Sequence, residues 1–278
     1  MKIKLFSYSM LDTPVHRLSG LSKLVCFLLL TTAIMLTYDI RIIVGIMVLS
    51  CIMMAISRIR LSQIKLMLLY VGIFLAFNFV LTYLFAPTYG SEVYGTEHIL
   101  ISLPGSYDLT LEELFYLIVK TAKYLSVIPL GIIFVLTTNP SEFASALNRV
   151  GVSYKICTSL ALTLRYFPDV TNDYNAISLA QQARGLEMSK KAGTMDRLKS
   201  IAAILVPLIM TTMDRVDIIS NAMDLRGFGK HKKRTWYAGR PLKTADYLGM
   251  GICLFVFAFT IWVRIFVNKS IYYNPFAG

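Results

Sequence analysis

Two arginines, Arg184 and Arg226, are prominent because the sequence around them is nearly the same. Residues 177–185 read ISLAQQARG, and residues 219–227, which follow 42 positions later, read ISNAMDLRG, so five of nine positions agree. In both segments the Ile, the first Ala and the Arg are spaced i, i+3 and i+7, which places them on one face of a helix. In both, a Gly follows the Arg directly, where a helix ends in a left-handed C-cap.

An arginine at such a helix end can serve in two ways. It can complement the negative end of the helix dipole, or it can enter a groove on a partner and form charge-assisted hydrogen bonds of roughly 1.5–3 kcal/mol each. Interaction with the helix dipole explains a single Arg-Gly end well. Two such ends in one segment favour binding to a partner. We therefore expect two helices that each finish on an exposed arginine at the tip of an apolar stripe. The stripes contain Ile177 and Ala180 in the first copy and Ile219, Ala222 and Met223 in the second.

The other chemically capable residues do not form a catalytic pattern. The chain has no phosphate-binding loop of the type GxxxxGK[ST], so it is not expected to bind ATP by itself. Its three histidines lie on different segments without carboxylates at metal-ligand spacing. Asp169 and Asp173 are four residues apart, and we interpret them as dipole partners at the N-terminus of their helix. We expect no catalytic residue, no metal site and no cofactor.

Composition indicates a membrane protein. Of 278 residues, 56% are hydrophobic, and the mean hydropathy is +0.61, which is too apolar for a soluble domain. A net charge of +12 would suggest a nucleic-acid partner in a soluble protein. Here the basic residues are segregated by loop, which membrane topology explains better. We expect contact with the lipid bilayer and no binding of nucleic acid.

Five apolar runs approach the roughly 20 residues that a helix needs to cross a bilayer. They cover about residues 21–38, 42–57, 66–86, 114–136 and 247–267. Between the last two, the apolar residues occur at helical spacing rather than in unbroken runs. The sequence therefore predicts an all-α membrane protein with about five transmembrane helices and a cytoplasmic helical segment inserted before the last span. The predicted division of the chain is 1–138, 139–243 and 244–278.

Two lysines, Lys120 and Lys123, fall inside the fourth predicted span. A lysine within a span is costly and faces protein, water or a partner. We interpret both as side chains that extend to the outer interface, in preference to charges that line a functional pore.

The distribution of Lys and Arg predicts the orientation. The N-terminus, residues 58–65 and residues 139–243 are basic, the last holding 16 of the 28 basic residues, whereas residues 87–110 have none. By the positive-inside rule the basic segments are cytoplasmic and 87–110 is outside. Two stretches in the basic segment, 156–168 and 201–213, are apolar for only about 13 residues. We place both on the cytoplasmic side.

Three stretches of the chain resemble the T component of energy-coupling factor (ECF) transporters. Residues 12–18, DTPVHRL, with Lys23 opening the first span, are similar to the start of that family. Residues 139–147, NPSEFASAL, are like its first cytoplasmic helix. The two Arg-Gly ends match its paired Ala-Arg-Gly motifs, although Leu225 stands where the motif has Ala. The resemblance covers the whole chain.

This resemblance implies a membrane scaffold of a vitamin or metal importer in the plasma membrane of a bacterium or archaeon. It implies that the two helix ends are coupling-helix tips, each inserted into a groove on one of two ABC-type ATPases. The apolar faces of the helices would carry a substrate-binding S component, which ATP-driven motion would topple. The tip residues implied are Ala183, Arg184 and Gly185 in the first helix and Leu225, Arg226 and Gly227 in the second.

Two other classes of protein compete with this interpretation. A conventional ABC permease also offers coupling helices, usually one per chain, and would bind its substrate without a further component. A membrane-embedded enzyme of lipid or isoprenoid chemistry would need denser acidic and histidine clusters than this sequence has. We expect the scaffold, with the permease as the alternative; the sequence does not name the substrate.

Overall fold

The protein is almost entirely helical. The computed structural model describes residues 13–59, 61–101, 108–186, 194–231, 235–237, 239–268 and 270–275. Helices account for 79% of it, and two short strands form the β-structure of the described residues. The predicted all-α membrane class is confirmed. Asp12, the first residue of the N-terminal motif, lies outside the described residues.

The helices and strands follow one another along the chain. The first half of the chain contains α1 (Pro14–Arg17), α2 (Gly20–Leu36), α3 (Ile40–Ile56), α4 (Leu61–Phe85), α5 (Tyr89–Tyr94), β1 (Ile99–Ile101) and β2 (Leu109–Thr110). The second half contains α6 (Leu111–Thr137), α7 (Pro140–Val150), α8 (Tyr154–Ala183), α9 (Thr194–Leu225) and α10 (Thr244–Trp262), which ends in a π-helical turn, Val263–Val267.

The chain divides into two compact units. One, which we call the membrane unit, consists of Met1–Asn139 and Arg240–Gly278; the other, the hairpin unit, is Pro140–Gly239. The hairpin unit begins with α7, whose first residue is Pro140. Proline is favoured there because the first helical N–H has no intrahelical partner.

The membrane unit contains the apolar helices. Three helical stretches among the described residues are long and apolar enough to cross a membrane: Ile64–Phe85, Leu111–Thr137 and Thr244–Val267. The apolar helices α2 and α3 are shorter, at 17 residues each. Each of the five predicted spans overlaps one of these helices. The core lies where α2 packs on α6 and α10, and its buried residues are Leu30, Ala33, Ile34, Ile46, Leu130 and Cys253.

The connection between α4 and α6 is more ordered than its composition predicts. It holds α5 and the antiparallel pair β1–β2. The carboxylate of Glu113 accepts a 2.6 Å hydrogen bond from the Gly90 N–H. A Cβ on Gly90 would lie only 2.5 Å from the Glu113 backbone, so glycine is required at this close approach. The sequence alone does not reveal this contact, because it joins positions that are 23 residues apart.

Two buried lysines join α2 and α6 reciprocally. Lys23, in the first turn of α2, donates through Nζ to the carbonyl of Thr137, the last residue of α6, at 2.7 Å. Lys123 of α6 donates through Nζ to the carbonyl of Met35, near the end of α2, at 2.9 Å. The last carbonyls of a helix have no intrahelical donor, and lysine can supply one. Each helix thus supplies a lysine donor to a backbone carbonyl at the C-terminal end of the other helix.

The interpretation that Lys123 reaches the outer interface is wrong. Its side chain is 4% exposed, and its ammonium lies 3.6 Å from the centre of the Tyr38 ring as well as on the Met35 carbonyl. Lys120 likewise donates to the Thr82 hydroxyl at 2.8 Å. Both lysines find partners within the helix bundle, which is what a charge inside a span requires.

We predict that Lys23→Met lowers the stability of the purified chain. The change leaves the buried carbonyls of Thr137 and His16 without the Lys23 donor, a loss that costs roughly 1–3 kcal/mol. The measurement is the melting temperature in detergent, which should fall by several degrees. Lys65→Met is the matched control, because Lys65 is exposed on α4. Equal melting temperatures for Lys23→Met and the control would contradict the role of Lys23.

Candidate functional site

The two helices that carry the arginines run antiparallel to each other. At one end, Tyr154 at the start of α8 packs edge-on against Phe228, which follows α9, with ring centres 5.4 Å apart. At the other end, Gln181 near the end of α8 donates to the carbonyl of Ala203, in the first third of α9, at 3.3 Å. The contacts therefore run in opposite order along the two helices, and the ends of α8 and α9 point in opposite directions.

An ion pair lies between these two contacts. Arg215 of α9 donates through Nη2 to Oδ2 of Asp173 of α8 at 2.7 Å. The interpretation of Asp169 and Asp173 as N-terminal dipole partners is wrong, because α8 begins at Tyr154 and both aspartates lie in its second half. The apolar stretch before them is the first part of the same helix, which continues through Pro168.

Asp173 and Arg215 occupy equivalent positions in the two repeats. They are separated by the same 42 residues that separate Ile177 from Ile219. When two equivalent helices pack antiparallel, equivalent positions meet only at the centre of the pair. The ion pair therefore marks the approximate two-fold centre of the α8–α9 hairpin.

Both helices end in the same cap. After α8, the Gly185 N–H donates to the Gln182 carbonyl at 3.0 Å and the Leu186 N–H to the Gln181 carbonyl at 3.0 Å. After α9, the Gly227 N–H donates to the Asp224 carbonyl at 2.9 Å and the Phe228 N–H to the Met223 carbonyl at 3.0 Å. These pairs define the Schellman motif.

The glycines make these caps possible. Gly185 has φ +90° and Gly227 has φ +68°, a left-handed backbone that costs other residues roughly 1–2 kcal/mol. The predicted left-handed caps are confirmed at both helix ends. The sequence thus folds locally so that an arginine is the C-cap residue of each helix.

The arginines are exposed and well separated. Arg184 and Arg226 each follow the central ion pair by 11 residues, in opposite directions. At 1.5 Å per residue the two tips are roughly 30–35 Å apart along the helix axes. The flanking residues Ala183 and Leu225 are also exposed, Leu225 by 90%. The structure therefore does not bring the two tips together; it presents them at opposite ends of one element.

The residues predicted to form apolar stripes are divided between two surfaces. Ile219 and Met223 line a groove of about 510 Å³ between α8 and α9. Ile177 is partly buried, whereas Ala180 and Ala222 are exposed. In α9, Ile219 therefore faces α8, and Ala222 faces outward.

Comparison with known proteins identifies the family. The sequence profile of the CbiQ family, described as a cobalt transport protein, matches residues 12–237. The chain belongs to the CbiQ family. The match includes both Arg-Gly ends and the whole α8–α9 hairpin of this CbiQ-family protein.

Its relatives are transporter subunits. A Bacillus selenitireducens protein named energy-coupling factor transporter transmembrane protein EcfT is 29% identical over 236 residues, 81% of this chain and 84% of the relative. The EcfT protein of Lactococcus lactis subsp. cremoris is 24% identical over 263 residues, 91% of this chain and 95% of the relative. A putative ABC transporter ATP-binding protein of Bifidobacterium longum is 29% identical over 153 residues, 52% of this chain but 19% of that protein.

These relatives support a transmembrane component of an ECF-type transporter. A component of this kind is a multi-pass, non-catalytic membrane subunit, and the similarity to an ATP-binding protein points to ABC ATPases as partners. The resemblance inferred from the motifs is confirmed at the level of the family.

Sequence reasoning missed the contacts that organise the hairpin. It treated residues 156–168 and 201–213 as separate apolar stretches, whereas they are internal parts of α8 and α9. It also missed the Asp173–Arg215 pair. The repeat spacing contained a signal for it, since equivalent positions of opposite charge can pair across an approximate two-fold axis.

We predict that Gly185→Ala and Gly227→Ala loosen the helix ends. Alanine is strained at these φ angles, so the capping bonds should open more readily. Amide hydrogen exchange at Leu186 or Phe228, measured in the purified chain, should accelerate by about 5–30-fold. Gly131→Ala is the control, because Gly131 lies within α6 and a Cβ there would meet no atom within 4 Å. Unchanged exchange in both variants would show that the glycine caps are dispensable.

We also predict that the central ion pair tolerates exchange of its charges. Asp173→Arg or Arg215→Asp alone places like charges together and should lower the melting temperature slightly, since both side chains are 31% exposed and such pairs contribute up to about 1 kcal/mol. The double exchange should recover most of the loss. If the double variant melts at the temperature expected for two additive losses, the side chains do not interact.

Proposed function

We propose that this chain is the coupling scaffold of an ECF-type importer of a vitamin or a metal ion. In this role it transmits the motion of two ABC-type ATPases to a membrane S component that binds the substrate. One observation carries the proposal: two identically capped helix ends, each with an exposed arginine, lie at opposite ends of a single antiparallel hairpin.

The caps favour a partner-binding role for the arginines over a purely structural one. In both helices the backbone N–H groups after the arginine bond to two of the last carbonyls, so the arginine side chains are not needed at those two. An exposed guanidinium at a helix tip can instead form bidentate, charge-assisted bonds in a groove of a partner. The tip residues proposed are Ala183, Arg184, Gly185, Leu225, Arg226 and Gly227.

The spacing of the tips favours two ATPase subunits. Tips roughly 30–35 Å apart and pointing in opposite directions need separate grooves. The chain has no phosphate-binding loop, so the energy for transport has to enter through such contacts. The two helices, joined at their centre by Asp173 and Arg215, would carry a displacement of one tip to the rest of the hairpin.

The exposed apolar surface of α9 supports an S component as the third partner. Ile201, Leu205, Ile209 and Met213 are spaced four residues apart and are 42–59% exposed. Their spacing places them along one face of the helix. A continuous apolar face of this kind marks a protein or membrane contact. The exposed Ala180 and Ala222 and the partly buried Ile177, Ile219 and Met223 extend the apolar surface that α8 and α9 offer.

The proposed topology follows the basic residues. The N-terminus and residues 139–243 lie in the cytoplasm, where the ATPases are, and residues 87–110 lie outside, in agreement with the positive-inside rule. The apolar surface of the hairpin would then lie at the cytoplasmic face of the membrane, within reach of an S component.

We predict that Arg184→Glu and Arg226→Glu each abolish substrate uptake and weaken ATPase binding. Charge reversal at a tip replaces attraction with repulsion in a groove that binds a guanidinium. The measurement is the amount of each ATPase that copurifies with the tagged chain, together with uptake in cells. Arg165→Glu is the matched control, because Arg165 is an exposed arginine on α8 away from its tip. Wild-type uptake in both tip variants would refute the coupling role.

Affinity purification from native membranes separates the scaffold from a conventional permease. Recovery of two ABC ATPases with a small, very apolar membrane protein supports the scaffold, and the small protein identifies the substrate. Recovery of a homodimer with one type of ATPase, together with substrate binding by the chain alone, would establish the permease instead.

A further inference from the structure

The membrane unit has a basic groove at one end of its helices. The groove, of about 550 Å³, is lined by Arg17, Ser19, Arg240, Pro241 and Lys243. The three basic residues are exposed. They lie next to the first turns of α2 and α10. Residues Thr244–Val267 are a candidate membrane span, and the end of such a span lies where hydrocarbon gives way to headgroups.

An apolar cavity lies deeper in the same unit. It has a volume of about 170 Å³ and lies between α2, α3, α6 and α10; its walls include Phe27, Leu30, Met53, Leu130 and Phe134. An apolar cavity of similar size in another protein stays dry and accepts an apolar guest. Ile252 of α10 also lines the cavity and is 48% exposed, so one wall residue of the cavity also belongs to the surface of that helix.

The groove and the cavity are lined by residues that are close together in the sequence. Arg17 and Ser19 line the groove, and Leu18 between them lines the cavity. On α10, Lys243 at the groove is followed by Gly249 at the cavity, six residues further along. That spacing corresponds to about 9 Å along a helix, inward from the interface. A ligand with an anionic head and an apolar tail matches this order of surfaces.

We propose that the groove and cavity together form a binding site for one anionic phospholipid. The phosphate is held by Arg17, Arg240 and Lys243, and part of one acyl chain enters the cavity. Basic pockets between transmembrane helices bind anionic headgroups in this way. The proposal needs only the membrane position of α2 and α10, so it is independent of the coupling function.

One buried carboxylate lies near the site. Asp246 is 2% exposed, and its two oxygens accept hydrogen bonds from the N–H groups of Ser19 at 2.7 Å and Lys243 at 2.8 Å. These bonds hold the carboxylate between the start of α2 and the start of α10. The Asp246 carboxylate thus accepts hydrogen bonds from backbone N–H groups, while the basic side chains of Arg17, Arg240 and Lys243 line the groove.

Native mass spectrometry of the purified full-length chain tests the site. The protein is incubated with equal amounts of dioleoyl phosphatidylglycerol and dioleoyl phosphatidylcholine, and the retained lipid is counted. We expect one phosphatidylglycerol to be retained, at least tenfold over phosphatidylcholine. The variant Arg17→Gln/Lys243→Gln should weaken retention by about fivefold for each cation removed. Arg58→Gln, at an exposed cation outside the groove, should retain as much as the wild type.

Three results would overturn the headgroup assignment. They are equal retention of the two lipids, wild-type retention by the double variant, and a loss in Arg58→Gln as large as that in the double variant. The last result would mean that charge acts diffusely over the surface rather than in the groove.

The acyl chain is tested separately. A Cβ on Gly249 would meet no atom closer than Ser22 Oγ at 3.8 Å, so Gly249→Leu adds volume at the cavity with little strain. It should lower phosphatidylglycerol retention several-fold while the melting temperature stays near that of the wild type. Dihexanoyl phosphatidylglycerol, whose chains are short, should displace the dioleoyl lipid poorly. Efficient displacement by it, or unchanged retention in Gly249→Leu, would overturn the role of the cavity.

Discussion

The structure depends on how each helix satisfies its last backbone carbonyls, which have no donor within the helix. In the apolar surroundings of the membrane unit, water is not available for this purpose. The side chains of Lys23 and Lys123 act instead, each on the end of the other's helix. In the hairpin unit the backbone itself supplies the donors, because Gly185 and Gly227 adopt left-handed conformations. The membrane unit thus uses lysine side chains as the donors to these carbonyls, whereas the hairpin unit uses backbone N–H groups.

The two solutions have different consequences. A lysine that donates across the bundle fixes α2 against α6, so the membrane unit gains a specific packing arrangement from charges that would be costly if unpartnered. A glycine cap ends a helix without using any side chain. The arginine before it, Arg184 or Arg226, is exposed at the helix end.

The hairpin also shows how a repeated sequence can make an asymmetric contact. The two copies pack antiparallel, so equivalent residues approach each other only at the centre. There Asp173 meets Arg215 across a distance of 2.7 Å. Identical residues of like charge at this position would repel one another, and the two copies differ there. The same arrangement sends the two tips in opposite directions.

The sequence by itself determined the features that depend on local chemistry. Long apolar runs specified the spans because the bilayer sets their length, and glycine after arginine specified the helix ends because only glycine adopts the left-handed cap without strain. The tertiary structure decided which distant residues meet. The burial of Lys123 against Tyr38, the pairing of Asp173 with Arg215 and the bond of Glu113 to Gly90 join positions whose separation along the chain carries no local pattern. Only the packing of whole helices brings these residues together, because their partners are fixed by direction and register rather than by neighbouring sequence.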